Sequence, residues 1–351
     1  MEPLLAVVSD SRYRLHLENM SHLESPRRLQ ALDAILQHAP FAKRWMGVEP
    51  RLATVEEIGW IHSAAYIQKV EKTSGCQLSS FDIDTQASAR SYDTARLAVG
   101  GVFAMLDEII RGRVRRGFAC IRPPGHHAEK EKAMGFCIFN NAALGARYLQ
   151  TCYGLEKIMI VDIDAHHGNG IQSAFYDSPA VLYTSWHQFP GFPGTGNLNE
   201  MGNGPGLGFT VNIPLGKGQG NRDFARIIRY LIRPLALAYR PQVLLVPCGF
   251  DLYRRDRLAG MACTPEGYAL LARLLIQIAE TVCQGRIGFI MEGGYSLRGI
   301  EACGLRLLQE LCDLPTLPEK TLCNAGLSRP LPFSTLYKVI QVQRAHWPSL
   351  R

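Results

Sequence analysis

Short runs of consecutive apolar residues, many of them β-branched, recur along most of the chain. Such runs are typical of strands that are buried on both faces of a parallel sheet, because neither face needs polar side chains. We therefore predict strands over residues 117–121, 157–163, 180–185, 208–213, 242–248 and 286–291.

Between these runs lie longer segments in which apolar residues are spaced three and four positions apart, and this spacing predicts amphipathic helices. The predicted helices cover residues 27–38, 90–112, 141–152, 222–239 and 265–283. Alternating strands and helices indicate a single α/β domain of the doubly wound kind. We assign this domain to residues 1–314. Residues 315–351 carry several prolines, and we predict that they form an irregular extension packed on the domain.

The composition narrows the class of protein further. Of 351 residues, 47% are hydrophobic and 20% are charged, which excludes a disordered or fibrous chain. The net charge of +7 comes from scattered basic residues, so we expect no direct binding of nucleic acid. No apolar stretch approaches the ~20 residues that span a bilayer, so we expect no membrane partner. The ten cysteines lack paired CxxC spacing, and we expect a reduced protein of the cytoplasm.

Polar, glycine-containing segments follow four of the predicted strands directly. These segments are residues 122–127, 162–170, 249–251 and 292–295. Ligands of open parallel sheets bind at the carboxyl ends of the strands, where such loops converge. Two of the segments contain adjacent histidines, which is unusual in a chain that has ten histidines in all. The sequence therefore predicts one active site built from these four loops.

Asp164 and His166 are two positions apart after a strand, so an extended backbone directs both side chains to one side. Asp251, at the end of another strand, can supply a third ligand. Two carboxylates and one imidazole suit Zn²⁺, Fe²⁺ or Co²⁺, and three protein ligands leave a position open for catalysis. The alternative is an acidic strand end that binds Mg²⁺, but Mg²⁺ relies mainly on oxygen ligands and water.

The adjacent histidines His126 and His127 remain available to move protons if the three ligands suffice for the metal. A carboxylate such as Asp162 would raise the pKa of one imidazole, and an amide such as Asn169 would orient the other without charging it. Tyr295 follows two glycines, and its phenol can donate a hydrogen bond to a developing oxyanion. Together these groups predict hydrolysis of an amide or a related carbonyl compound.

In these motifs the sequence resembles a known family, the zinc-dependent histone deacetylase superfamily, which also includes acetylpolyamine amidohydrolases. The similarity covers residues 15–312 and is closer to the class II and bacterial members than to class I. Its motifs occur in order at residues 22–28, 122–127, 135–137, 162–170, 192–196, 249–251 and 292–295.

The resemblance implies an arginase/deacetylase fold, with a mainly parallel eight-stranded sheet and helices on both faces, and residues 1–314 as its catalytic domain. It implies one Zn²⁺ per chain and bound K⁺, and it is compatible with a homo-oligomer. The residues that it assigns are Asp164, His166 and Asp251 for the zinc ion, His127 with Asn169 for proton transfer, His126 with Asp162 for electrostatic support, and Tyr295 for the oxyanion.

The family pattern also implies a substrate tunnel with aromatic walls. Ser88 is our best match to the aspartate that holds the substrate backbone in class I members, and Asp84 is the alternative. The tunnel residues implied are Gly135, Phe136, Phe192, Leu258 and Ser88. The residues implied for monovalent cations are Asp162, Asp164, His166, Ser185 and Trp186 at one site and Phe175, Ser178 and Val181 at a second. Arg28 matches an arginine of an internal cavity behind the metal.

Two substrates remain open after this assignment: Nε-acyl-lysine in peptides or proteins, and acetylated polyamines. A polyamine carries a second cation, which favours an acidic residue at the tunnel mouth. Here the aligned position is Leu258, which has Arg254 and Arg255 nearby, and we therefore favour acyl-lysine. A catalytically silent binding module would need a missing ligand, yet every ligand is present. An arginase-like hydrolase would need two metals and more acidic ligands.

Overall fold

The computed structural model describes residues 4–37, 44–318, 321 and 334–350, and a mixed array of strands and helices fills these ranges. Its strands, in chain order, are β1 Leu5–Ser9, β2 Trp45–Gly47, β3 Ser79–Ser80, β4 Gln86–Ala87, β5 Arg116–Cys120, β6 Ile158–Asp162, β7 Val181–Gln188, β8 Thr210–Leu215, β9 Val243–Cys248 and β10 Ile287–Met291.

Eight of these strands form one sheet in the order β2-β1-β5-β10-β9-β6-β7-β8, and every pair in it is parallel. β3 and β4 form a separate antiparallel hairpin. The central strands are buried along their whole length, which explains their continuous apolar runs. The predicted α/β fold with an eight-stranded, mainly parallel sheet is confirmed.

The helices, in chain order, are α1 Arg27–Leu36, α2 Val55–Ile58, α3 Ala64–Glu71, α4 Ser91–Ile110, α5 Asn141–Tyr153, α6 Asn169–Phe175, α7 Asn221–Ile227, α8 Arg233–Tyr239, α9 Pro265–Cys283, α10 Leu297–Leu311 and α11 Thr335–Gln343. Among the longest of them, α4 packs against α5, and α10 packs against both α1 and α9. No helix among the described residues is long and apolar enough to cross a membrane.

The predicted helix over residues 222–239 is interrupted in the structure. A π-helical turn over Ile228–Ile232 separates α7 from α8. Pro234 follows this turn, and proline has no N–H to continue the α-helical hydrogen bonds. Wider π-type bonding lets the chain pass that position without ending the helical path.

The carboxyl-terminal segment differs from the predicted irregular extension. Residues 335–343 form α11, which packs against β8 with Leu336, Val339 and Ile340 buried. Trp347 Nε1 donates a hydrogen bond of 2.8 Å to the carbonyl of Gly208. The helical spacing of its apolar residues explains why this part is regular despite the prolines around it. The rest of the predicted extension falls partly on residues 319–320, 322–333 and 351, outside the described residues.

The four strands that precede the polar loops are neighbours in the sheet. β5, β10, β9 and β6 stand side by side, and all run in the same direction. Their carboxyl ends therefore open on one crevice, where all four loops meet.

Candidate active site

Three side chains converge at the floor of this crevice with the donor atoms of a metal site. His166 Nδ1 lies 3.1 Å from an oxygen of Asp164 and 3.0 Å from an oxygen of Asp251. One ligand atom from each residue falls within 4.8 Å of the other two. The second carboxylate oxygens are held by the backbone, since Asp164 accepts from Gly293 N and Asp251 from Ala165 N, each at 2.9 Å.

The charge of this metal group, as we call Asp164, His166 and Asp251, fits a divalent cation. Both carboxylates are fully buried. Burial, together with the charge of Asp164, raises the pKa of Asp251 to about 7. Two desolvated anions at this distance repel each other, and a cation between them removes that cost. A Cβ on Gly249 would lie 2.1 Å from Asp164 Oδ2, so this close approach requires glycine.

His126 lies behind the metal group and is positioned by two buried carboxylates. Its Nδ1 lies 3.2 Å from Asp162 Oδ2, and its backbone N–H donates to Glu292 Oε2 at 3.1 Å. Burial lowers the pKa of His126, but the charges of Asp164 and Asp162 outweigh burial and raise it to about 10. The surroundings of His126 therefore favour the charged imidazolium.

His127 lies beside His126, with ring centroids 4.0 Å apart and the rings tilted by 44°, and its surroundings have the opposite effect. Burial, and then the charges of His126 and His166, hold the pKa of His127 well below its usual range. Its Nδ1 lies 2.9 Å from the side-chain oxygen of Asn169, an uncharged partner. Two adjacent histidines are thus separated into a charged one and a neutral one, the arrangement expected of an acid–base site.

Tyr295 forms one side of the crevice, and its ring contacts Phe136 edge-on at 5.5 Å. Its backbone N–H donates a hydrogen bond of 2.7 Å to Asp256 Oδ2. Burial raises the pKa of Tyr295 well above its usual range, although the guanidinium of Arg28, 5.1 Å from the ring centre, opposes this. The phenol therefore keeps its proton and remains a hydrogen-bond donor.

Arg28 lies behind Tyr295 and supports the loop that carries it. It is fully buried, and its Nε donates to the carbonyl of Gly294 at 2.8 Å. A second nitrogen donates to the carbonyl of Glu292. Glu24 pairs with Arg28 at 2.9 Å and with Arg122 at 2.6 Å. Arg28 thus sits in a buried network behind the metal group, and the internal cavity implied for it stays a prediction.

Above the metal group the crevice is a cavity of about 320 Å³ with mainly apolar walls. Its size falls in the range of small-molecule sites. The residues that line it are Asp84, His127, Gly135, Phe136, His166, Phe192, Leu258 and Tyr295.

Gly135 is required by the shape of this cavity. Its φ is +56°, in the left-handed region, and a Cβ there would lie 2.4 Å from His127 Cδ2 and 2.9 Å from Phe192 Cε1. Any side chain would displace the imidazole or the aromatic wall.

Known proteins share the sequence and the fold that carry this site. The histone deacetylase domain family matches residues 22–311. This chain belongs to the histone deacetylase family. The crystal structure of the HDA15 HD domain superposes with a TM-score of 0.89 at 36% identity, and the match covers 99% of this chain and 97% of that one.

Relatives within the family differ in the substrates that their names state. Histone deacetylase 15 of Arabidopsis thaliana is 38% identical over 98% of this chain and 63% of its own length. Polyamine deacetylase HDAC10 of Homo sapiens is 36% identical over 94% of this chain and 50% of its own length. A probable deacetylase of Archaeoglobus fulgidus is 36% identical over 84% of this chain and 82% of its own length. This chain therefore spans about half to two-thirds of the first two relatives.

Within the family site, the prediction for Ser88 is wrong. Ser88 does not line the cavity; its buried hydroxyl accepts from Leu17 N at 3.1 Å and lies 3.2 Å from Ser91 Oγ. The alternative, Asp84, does line the cavity, and its carboxylate accepts hydrogen bonds from Gly135 N and the Thr85 hydroxyl. Asp84 lies in the loop between β3 and β4, so spacing from a helix could not place it.

The residues implied for monovalent cations lie in β6 and β7 and in the segments beside these strands. Asp162 and Ser185 are partners in the register of these strands. Trp186 is buried and packs against Phe224, with centroids 5.2 Å apart. The second set lies at the opposite end of β7, where Ser178 N donates to the carbonyl of Phe175 at 3.0 Å just before Val181. Cation binding at both sets stays a prediction.

Sequence reasoning assigned no role to four acidic residues that contact or support the site. Each accepts a hydrogen bond from a backbone or side-chain group that lies far away in the chain. An acidic residue type in the sequence does not indicate which distant group will donate to it. They are Glu24, Glu129, Asp256 and Glu292.

Proposed function

We propose that this protein is a zinc-dependent deacylase that removes acetyl or other acyl groups from the Nε-amine of lysine in peptides or proteins. The observation that supports this most strongly is the position of the metal group. It lies at the floor of a narrow cavity whose walls, Phe136 and Phe192, are aromatic. Such walls accept the methylene stem of a lysine side chain and present its terminal amide at the floor.

Asp164, His166 and Asp251 would hold the zinc ion. When bound, zinc supplies Lewis acidity, which polarises the acyl carbonyl and lowers the pKa of water. The chain's own residues would transfer the protons and stabilise the charge that develops at the amide.

His127 would move the proton. Its Nδ1 is engaged by Asn169, so Nε2 is left to take a proton from the attacking water and later deliver it to the leaving amine. The surroundings that favour neutral His127 suit this role as a base. Charged His126, which contacts Asp162, would offset the negative charge that develops on the oxygen atoms bound to the reacting carbon.

Tyr295 would donate its phenolic hydrogen to the carbonyl oxygen as that oxygen gains negative charge. Arg28 fixes the backbone on both sides of Gly293, so the phenol is positioned before substrate arrives. A donor positioned in this way needs no reorganisation during the reaction.

The second candidate, deacetylation of small acetylated polyamines, is favoured by the similarity to the human polyamine deacetylase. The mouth of the cavity argues against it. Leu258 is 42% exposed there, and the exposed residues Arg254 and Arg257 belong to the same segment. Clustered cations repel a polyamine's second ammonium group.

One comparison tests the proposed function. Protein with its bound metal quantified is assayed for kcat/KM on an acetyl-lysine peptide and on acetylputrescine. We expect about one zinc per chain and a higher kcat/KM for the peptide. A preference for acetylputrescine would support the second candidate instead. Hydrolysis of neither substrate by zinc-loaded protein would contradict both.

We also propose that K⁺ binds at the two predicted cation sets beside β7. Binding to the folded state alone raises the melting temperature. KCl should therefore raise Tm above the value in tetramethylammonium chloride at equal ionic strength, and equal Tm values would contradict K⁺ binding.

For the compartment, we propose the cytoplasm. The described cysteines are free thiols, most of them buried, as expected in a reducing environment.

A further inference from the structure

The carboxylate of Glu129 contacts the side chain that supports the catalytic base. Glu129 Oε1 accepts a hydrogen bond of 2.7 Å from Asn169 Nδ2. On its other side, Asn169 Oδ1 lies 2.9 Å from His127 Nδ1. We propose that Glu129 is a positioning residue that fixes the orientation of the Asn169 amide and thereby the tautomer of His127. This inference rests on the proposed function only in giving His127 the role of base.

The hydrogen-bonding capacities of these groups determine the proton positions. A carboxylate offers only acceptor atoms, so the atom of Asn169 that faces Glu129 must be the amino group. The amide oxygen then faces His127, and an oxygen there requires a proton on Nδ1. In the neutral imidazole this leaves Nε2 unprotonated, which is the form that can accept a proton from water.

Without Glu129, little would hold the amide in this orientation. The other contacts of Asn169 Nδ2 are the carbonyl of His127 at 3.4 Å and the sulfur of Met134 at 3.3 Å, both weak. Rotation of the amide by half a turn would present the amino group to His127 Nδ1. That contact would select the tautomer with its proton on Nε2, which cannot act as a base.

The backbone of Glu129 is itself held in place. His62 Nδ1 donates to the Glu129 carbonyl at 2.9 Å, and His62 Nε2 accepts from Asn140 N at 3.0 Å. Glu129 N donates to the carbonyl of Lys132 at 2.9 Å, which closes a tight turn. Burial lowers the pKa of His62 to about 4, so this histidine stays neutral and keeps both bonds. The Glu129 carboxylate is therefore presented to Asn169 from a fixed backbone.

Replacement of Glu129 with glutamine tests the orientation directly. A glutamine amide can either accept or donate, so it stabilises both orientations of Asn169. We expect Glu129→Gln to lower kcat about 10- to 100-fold, with KM little changed. Glu131→Gln is the matched control, because Glu131 is exposed two residues further along and carries the same charge. Equal kinetics for the two variants would contradict the proposal.

A second background separates orientation from general support of the loop. In Asn169→Asp both side-chain oxygens accept, so His127 keeps its Nδ1 proton without help, and Glu129 instead faces a second carboxylate. Adding Glu129→Gln to Asn169→Asp should therefore raise kcat, the reverse of its effect in the parent enzyme. A lower kcat in both backgrounds would show that Glu129 only supports the fold, and it would overturn the proposal.

Nuclear magnetic resonance gives a readout that does not depend on activity. In zinc-loaded protein with ¹⁵N-labelled histidine, the ring nitrogens of His127 should report a proton on Nδ1. Glu129→Gln should add the tautomer with the proton on Nε2. The same single tautomer in both proteins would overturn this inference. Absence of deacylase activity in the parent enzyme would instead contradict the proposed function.

Discussion

The floor and the mouth of the cavity are built in opposite ways. At the floor, Asp164 and Asp251 are fully buried, and backbone N–H groups hold one oxygen of each. At the mouth, Leu258 is 42% exposed and Phe192 is 41% exposed. A substitution at the floor would therefore remove a metal ligand or its support, and with it the ability to hydrolyse the amide. The exposed side chains at the mouth can be substituted with little loss of folding stability, so we place substrate selection there.

Loss of one metal ligand should give the largest effect, because it removes a donor that nothing nearby can replace. Asp251→Asn should lower bound zinc sharply and abolish turnover, and a chelator should do the same to the parent enzyme. Metal content by atomic emission and kcat on an acetyl-lysine peptide measure this. Asp93→Asn, an exposed carboxylate in the first turn of α4, is the control. Full turnover without metal would contradict a role for the metal group.

Loss of the phenolic donor should rank second. Tyr295→Phe keeps the ring contact with Phe136 but removes the hydrogen bond to the oxyanion. One such donor is worth about 10²–10³ in kcat, so we expect that loss with KM little changed. Tyr337→Phe, at an exposed position of α11, should leave kcat at the parental value. A Tyr295→Phe enzyme with parental kcat would exclude this donor from the mechanism.

A methyl group at Gly135 probes the boundary between floor and mouth, because it collides with both His127 and Phe192. A displacement of about 1 Å in a catalytic group costs about 10² in rate, and we expect that loss for Gly135→Ala. Gly75→Ala is a matched control, since Gly75 also has a positive φ of +79° but meets no atom within 4 Å. Equal losses in the two variants would attribute the effect to backbone strain alone.

An acidic residue at the mouth should change which substrate is preferred and leave the hydrolysis step itself unaffected. Leu258→Glu should raise kcat/KM for acetylputrescine relative to the acetyl-lysine peptide about 5- to 30-fold, since a partly desolvated ion pair contributes about 1–2 kcal/mol. Leu207→Glu makes the same change at another exposed leucine. If Leu258→Glu lowers both activities equally, Leu258 only packs its loop.

The smallest effect should come from Ile83, at the tip of the hairpin next to Asp84. This side chain is 98% exposed. Its neighbour Asp84 lines the cavity, and we predict that a long peptide bound there contacts Ile83. Ile83→Thr should raise KM for a long acetyl-lysine peptide about two- to fivefold, because about 1 kcal/mol of apolar burial is lost. The kinetics on single acetyl-lysine should not change. Val55→Thr, at an exposed position of α2, is the control. An equal effect on both substrates would contradict contact with the peptide.

The sequence by itself determined the parallel sheet and the four loops at its edge, because buried strands and the turns after them depend on local patterns. Asp164 and His166 could be paired from spacing alone, since two residues of one extended segment share a side. The apolar pattern did not predict β1 and β2, which lie at one edge of the sheet. Both strands are short, and their segments show little periodicity.

Only the tertiary structure placed Asp84, and not Ser88, at the cavity. Only it brought Glu129 to Asn169, 40 residues away, and Arg28 to Gly294, 266 residues away. These contacts depend on how separate elements pack, and the type of a single residue does not reveal which distant group it will meet. A carboxylate or guanidinium is buried where a group of opposite charge or a hydrogen-bonding group pairs with it. Without such a partner, the free-energy cost of removing the charge from water would destabilise the fold.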